Sequence, residues 1–226
     1  MRAFAQFISY ISHPLLMPAI GLVLLFELNT LPVTFNVYDA LYYYPSEIKW
    51  TFYKVFGVLL FIAPLLSIVI MRVNKMIPSL EMPERKHRIY PLAISTFYFL
   101  MSYYAIRLQL GDPYGHPALF GYFFGMIIVF VLVFAINYFW LKISLHAVGI
   151  FALIGALLGY SQTQMSGFDS NQVAPNLNII LLLIVFAGLV GFSRLYLKAH
   201  TLREVLVGSI VGFLVMFFCV KFGWYV

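Results

Sequence analysis

Long apolar runs separated by short polar stretches set the pattern of this chain. The first run extends from about Phe4 to Leu28 and is interrupted by His13, Pro14 and Pro18. Its core as a span is Leu15–Leu28, and the part before it is expected in the membrane interface. Further runs cover Phe52–Met71, Pro91–Leu110, Leu119–Leu141, Ser144–Tyr160, Leu177–Tyr196 and Glu204–Phe222. About 20 apolar residues cross a hydrocarbon core as a helix, whereas barrel strands need only about 9–11 and alternate with period two. These runs are too long for such strands and show no dominant alternation. They predict an all-α, polytopic bundle of about six to seven transmembrane helices, forming a single domain over residues 1–226. Between the runs, Asn29–Thr51 reads as a Tyr-rich loop suited to the headgroup level, Gly111–Pro117 as a turn, and Ser161–Asn176 as a polar loop. Three G-x-x-x-G pairs, Gly121/Gly125, Gly155/Gly159 and Gly208/Gly212, predict close helix packing.

Composition agrees with the pattern. The chain of 226 residues is 63% hydrophobic and 10% charged, with a mean hydropathy of +0.94. A soluble domain is roughly a quarter charged, so an ordinary soluble globule is excluded. The one cysteine, Cys219, lies in an apolar run and allows neither a disulfide nor a cysteine-based metal site. The net charge of +6 has no solvated domain on which to hold nucleic acid. Anionic lipid headgroups or phosphorylated substrates are the expected partners.

In such a chain the informative residues are the ionisable ones at helix ends. They fall in three clusters: Glu81 to Pro91 with Arg85, Lys86, His87 and Arg88; Lys142 to Gly149 with Ser144 and His146; and Ser193 to Glu204 with Arg194, Lys198, His200 and Arg203. Two predicted spans separate each cluster from the next, so all three return to one membrane face. Arg85 and Arg88, three apart, share a face if their segment is helical. Guanidinium forks match phosphate oxygens. His146 and His200 suit acid, base or nucleophile roles near neutral pH. Glu204 lies one helical turn after His200, in position to accept a ring N–H. Positive charge, two histidines and an orienting carboxylate suit phosphoryl transfer through a phosphohistidine. Two histidines on separate helices and one carboxylate are too few for a metal site. Lys142 and Lys198 read as snorkelling anchors, and His13 and His116 read as lying away from the clusters.

These residues resemble the type-2 phosphatidic acid phosphatase superfamily. Ser193-Arg194, five residues, His200, three residues and Glu204 are similar to its S-R-x5-H-x3-D signature, continued by Val205 and Gly208. Ser144-Leu145-His146 is similar to its S-G-H motif, and Arg85–Pro91 lies where the family carries K-x6-R-P. The resemblance covers roughly residues 72–212, the core formed by the later spans. It implies a membrane-embedded lipid phosphate phosphatase or phosphotransferase that uses no metal cofactor. His200 would be the nucleophile, oriented by Glu204. His146 would protonate the leaving alkoxide and activate water. Arg194 and Arg88 would hold phosphate oxygens, with Ser144 donating a hydrogen bond and Arg85 or Lys86 as further cations. The implied setting is a bacterial inner (cytoplasmic) membrane.

Three positions depart from the pattern. Glu81 stands seven residues before Arg88 in place of lysine, with two residues between Arg88 and Pro91. Leu145 replaces glycine, and Glu204 replaces aspartate. They motivate an alternative, a catalytically inactive relative that binds or moves anionic lipids. Of the 14 basic residues, ten fall on the cluster face and four on the other, which by the positive-inside rule places the clusters in the cytoplasm. Setting aside Arg85, Lys86, Arg88 and Arg194 leaves six against four, so orientation stays open, as do the particular lipid and the oligomeric state.

Overall fold

The computed structural model describes residues 1–28, 40–79, 82, 84–109, 115–165 and 177–223, and among them there is no strand. Glu81, the turn at 111–114 and the loop at 166–176 lie outside the described residues. Helices α1 (Arg2–Ile11) and α2 (Leu16–Glu27) stand where the first span was expected. They meet at an angle of 61° across the break holding His13 and Pro14. Proline has no N–H to give and drives the residue before it out of the helical region, so the chain turns there. At 12 residues, α2 alone is about 18 Å long, short of a hydrocarbon core of ~30 Å.

The following helices are α3 (Ser46–Gly57), α4 (Ala63–Val73), α5 (Ile89–Gln109), α6 (Pro117–Phe139), α7 (Leu145–Met165), α8 (Leu177–Tyr196) and α9 (Leu202–Phe222). A π-helical turn over Val58–Ile62 joins α3 to α4. Pro64 cannot bond the carbonyl of Leu60, and the wider turn accommodates its ring. Two expected loops are therefore shorter than the sequence pattern suggested. The second span starts at Ser46 rather than Phe52, and α7 continues past Tyr160 to Met165. There the Ser161 hydroxyl donates back to the Leu157 carbonyl at 2.9 Å, which satisfies a polar group inside the helix. His116 caps α6, its Nδ1 accepting from the Ala118 N–H at 3.0 Å.

Six spans, Ser46–Val73, Arg85–Leu108, Pro117–Phe139, Leu145–Thr163, Leu177–Tyr196 and Leu202–Phe222, are long and apolar enough to cross a membrane. The bent α1–α2 pair is at most a seventh. On α8, Leu182 and Val185 are 69% and 66% exposed, an outward apolar face that hydrocarbon rather than water suits. The chain is thus a multi-pass membrane protein.

Close packing of α9 against α7 and α6 positions the ends that carry the polar clusters. The glycine pairs face these contacts. A Cβ on Gly155 would strike the Phe213 carbonyl, one on Gly212 the Val148 carbonyl, and one on Gly121 the Cys219 carbonyl. At the polar end, a Cβ on Gly208 would stand 2.9 Å from the Ser144 carbonyl. Glycine there lets the first turn of α7 rest directly on α9.

Candidate functional site

The start of α9 is built by a reciprocal cap. Thr201 Oγ1 accepts from the Glu204 N–H at 3.3 Å, and Glu204 Oε2 accepts from the Thr201 N–H at 2.9 Å. The motif T-L-R-E satisfies two of the helix's unpaired N–H groups in this way. The same Glu204 oxygen lies 3.0 Å from His200 Nδ1. A carboxylate accepts only, so Nδ1 carries the proton and Nε2 keeps its lone pair. Nε2 makes no hydrogen bond among the described residues.

His200 is held to Arg194 by the turn between α8 and α9. The Arg194 carbonyl accepts from the N–H groups of Ala199 at 3.1 Å and His200 at 3.4 Å. The turn needs a left-handed residue, and Lys198 fills it with φ 53°. Lys198 is exposed at this turn, and its place is set by the backbone.

The second cluster docks on the third through its main chain. The Ser144 N–H donates to the Glu204 carbonyl at 3.2 Å, and the Ser144 carbonyl accepts from Val148 at 3.0 Å to start α7. Ser144 Oγ is buried and has no partner among the described residues. His146 sits in the first turn of α7, with Nε2 3.1 Å from the Ser9 carbonyl. Arg88 joins from the first cluster. It is 6% exposed; its Nη1 donates to the Ile143 carbonyl at 2.9 Å and its Nε to the Met82 carbonyl at 3.2 Å.

Burial, and then the charges of Arg88, Arg194 and Lys142, push the His200 pKa down to about 4 from an ordinary 6.5, against the opposing pull of Glu204. His200 is therefore neutral near pH 7, as a nitrogen nucleophile requires. Burial followed by Arg88 and Arg194 also lowers the Lys142 pKa, while Glu204 raises it. Among the described residues no group of three or more His, Cys, Asp or Glu side chains is placed to hold a metal ion.

The structure thus brings together Arg88, Ser144, His146, Arg194, His200 and Glu204. It does not bring Arg85 and Lys86 to them. Those two residues share a 3₁₀ turn with Arg88 (Arg85–Arg88) but are exposed, and Lys86 pairs with Glu84 at 2.9 Å. The Arg85 carbonyl accepts from Asn137 Nδ2 at 3.1 Å. Arg85 and Lys86 line a separate open groove with Glu84, Ile89, Asn137 and Tyr138. Arg88 turns inward because the Ile143 and Met82 carbonyls await its guanidinium.

Three further residues join the site. Lys142 belongs to the charged cluster around His200, and its closeness to Ser144 in the sequence was the available signal. His13 lies beside His146, ring centroids 6.3 Å apart in an edge-on arrangement, and burial lowers its pKa. Ser9 reaches both Arg194 and His146. No local pattern announces Ser9 or His13, because their partners lie more than a hundred residues away.

The family model for the PAP2 superfamily matches residues 33–226, a stretch that contains all three clusters. Neither the curated proteins nor the solved structures contain a match to the chain.

Proposed function

The chain belongs to the PAP2 superfamily, a family of phosphatases, and on that premise we propose that it is a membrane-embedded lipid phosphate phosphatase or phosphotransferase working through a phosphohistidine without a metal. The observation that carries the reading is the His200–Glu204 pair at 3.0 Å, with Nε2 making no hydrogen bond among the described residues and the charges of Arg88, Arg194 and Lys142 close by. In the first step Nε2 attacks phosphorus, an N–P bond forms, and the bond to the lipid oxygen breaks. His146 enters this step as an imidazolium beside the phosphate dianion, gives its second ring proton to that oxygen and is left neutral. In the second step water, deprotonated by His146, attacks phosphorus, the N–P bond breaks, and phosphate leaves. Glu204 balances the charge that develops on the His200 ring.

Arg88, Arg194 and Lys142 hold the phosphate oxygens. Lys142 supplies from the α6–α7 link the cation that the first motif lacks at Glu81. The buried Ser144 hydroxyl, without a partner among the described residues, supports the reading: a buried donor without an acceptor is costly, and a phosphate oxygen would supply one. The core spans residues 72–212, and the setting is a bacterial inner membrane.

The test is phosphate release from a panel of phosphatidic acid, phosphatidylglycerol phosphate and polyprenyl phosphates in metal-free buffer. His200→Ala should abolish release, and undiminished turnover in that variant refutes the mechanism. A wild-type protein that binds these lipids through Arg88 and Arg194 yet releases nothing establishes the non-catalytic alternative.

A further inference from the structure

We propose that Ser9 of α1 is a positioning residue of the phosphate site: its hydroxyl aims the Arg194 guanidinium and its carbonyl fixes the proton-bearing nitrogen of His146. The inference rests on the phosphate-site reading above. It concerns a segment outside the residues that the family model matches.

The geometry follows from how α1 ends. The last carbonyls of a helix lack intrahelical partners. Here the Ser12 N–H goes to Ile8 O at 3.0 Å and the His13 N–H to Tyr10 O at 3.2 Å, passing over Ser9. Pro14 ends the helix and offers no N–H. The Ser9 carbonyl is thus left for a donor from elsewhere, and His146 Nε2 lies 3.1 Å from it. A carbonyl accepts only, so Nε2 carries the hydrogen. Proton exchange with the leaving oxygen and with water then belongs to Nδ1, which makes no hydrogen bond among the described residues.

The Ser9 hydroxyl makes the second link. Arg194 Nη1 donates to it at 3.0 Å, and Ser193 Oγ lies 3.2 Å from it. The negative end of the α1 dipole also faces this cation. Ala5, Ile8 and Ser9 form the buried stripe of α1, which packs on α8, while Phe4, Phe7 and Tyr10 face outward. The helix is therefore seated by its apolar contacts and joined to the site through Ser9.

The test uses the full-length protein in detergent, with orthovanadate as the phosphate analogue and the vanadate-induced rise in Tm as readout. Ser9→Ala should bind vanadate about tenfold more weakly, the low end for a hydrogen bond to a charged group. Ser9→Thr, which keeps the hydroxyl, should stay within about twofold of wild type. Ile8→Ala loosens α1 without touching the bond and should bind vanadate normally. Equal losses in Ile8→Ala and Ser9→Ala mean a merely structural helix and overturn the proposal. So does wild-type affinity in Ser9→Ala when Arg194→Ala has lost binding, a result that leaves the phosphate site standing. Undiminished binding by Arg194→Ala, or none by the wild type, overturns both readings.

Discussion

Replacing Glu204 by glutamine separates the two jobs of this side chain. As the third residue of α9 it closes the cap with Thr201, and as a carboxylate it faces the ring that carries positive charge once phosphorylated. Glutamine suits the same capping position, so the fold should lose at most about 1 kcal/mol. The chemical cost is larger. Two unit charges 3.0 Å apart attract by about 332/(20 × 3.0), or ~5.5 kcal/mol, at an effective dielectric of ~20. The amide keeps a dipole and a hydrogen bond, which retain roughly half of this. A loss of ~3 kcal/mol in the transition state is a fall in kcat of about a hundredfold. The assay is phosphate release at saturating lipid phosphate, with Tm measured on the same preparation. Turnover within about threefold of wild type, with Tm unchanged, would refute the orienting role of the carboxylate.

Three further expectations follow from particular distances and environments. His200 has a folded pKa of about 4 against an ordinary 6.5, so the unfolded chain binds its proton first as pH falls. Its contribution to stability is complete above pH ~6.5 and is lost between there and pH ~4; Tm should drop over that window, and less steeply in His200→Gln. Gly155→Ala drives a Cβ into the Phe213 carbonyl and should cost at least ~1–3 kcal/mol, read as loss of monodisperse protein on size exclusion. Gly188→Ala meets nothing within 4 Å and should be neutral or stabilise by up to ~1 kcal/mol. Removing buried Arg88 leaves two carbonyls unpaired and should lower kcat/KM by about a hundredfold or more. Arg85→Ala and Lys86→Ala, whose side chains point elsewhere, should stay within about twofold.

The polytopic helical fold was legible because hydrocarbon solvation acts residue by residue: an apolar run of span length has few other places to go. The glycine pairs were legible for a similar reason, since an absent side chain at spacing four marks one helix face. What composition could not reveal was how each span begins and ends. Ser161 and Ser46 are polar yet helical, because local hydrogen bonds and a preceding proline decide those ends. The bend between α1 and α2 has the same character, resting on Pro14 and on what α1 then packs against.

His200 precedes α9 and meets Glu204 across the Thr201 cap. By itself, the order of apolar and polar residues determined that three charged clusters return to one face of the bundle and that Glu204 follows His200 at a spacing of four. Both follow from counting, of spans in one case and of residues in the other. Only the tertiary structure decided which charges enter the site. Arg85 and Arg88 are alike in type and stand three residues apart, yet Arg88 turns to the Ile143 carbonyl and Arg85 faces outward. His13 and Ser9 come in from a segment whose own sequence carries no signal for it. The physical reason is that a guanidinium or imidazole goes where a distant carbonyl or carboxylate is left unpaired, and the positions of those acceptors exist only after the helices have packed.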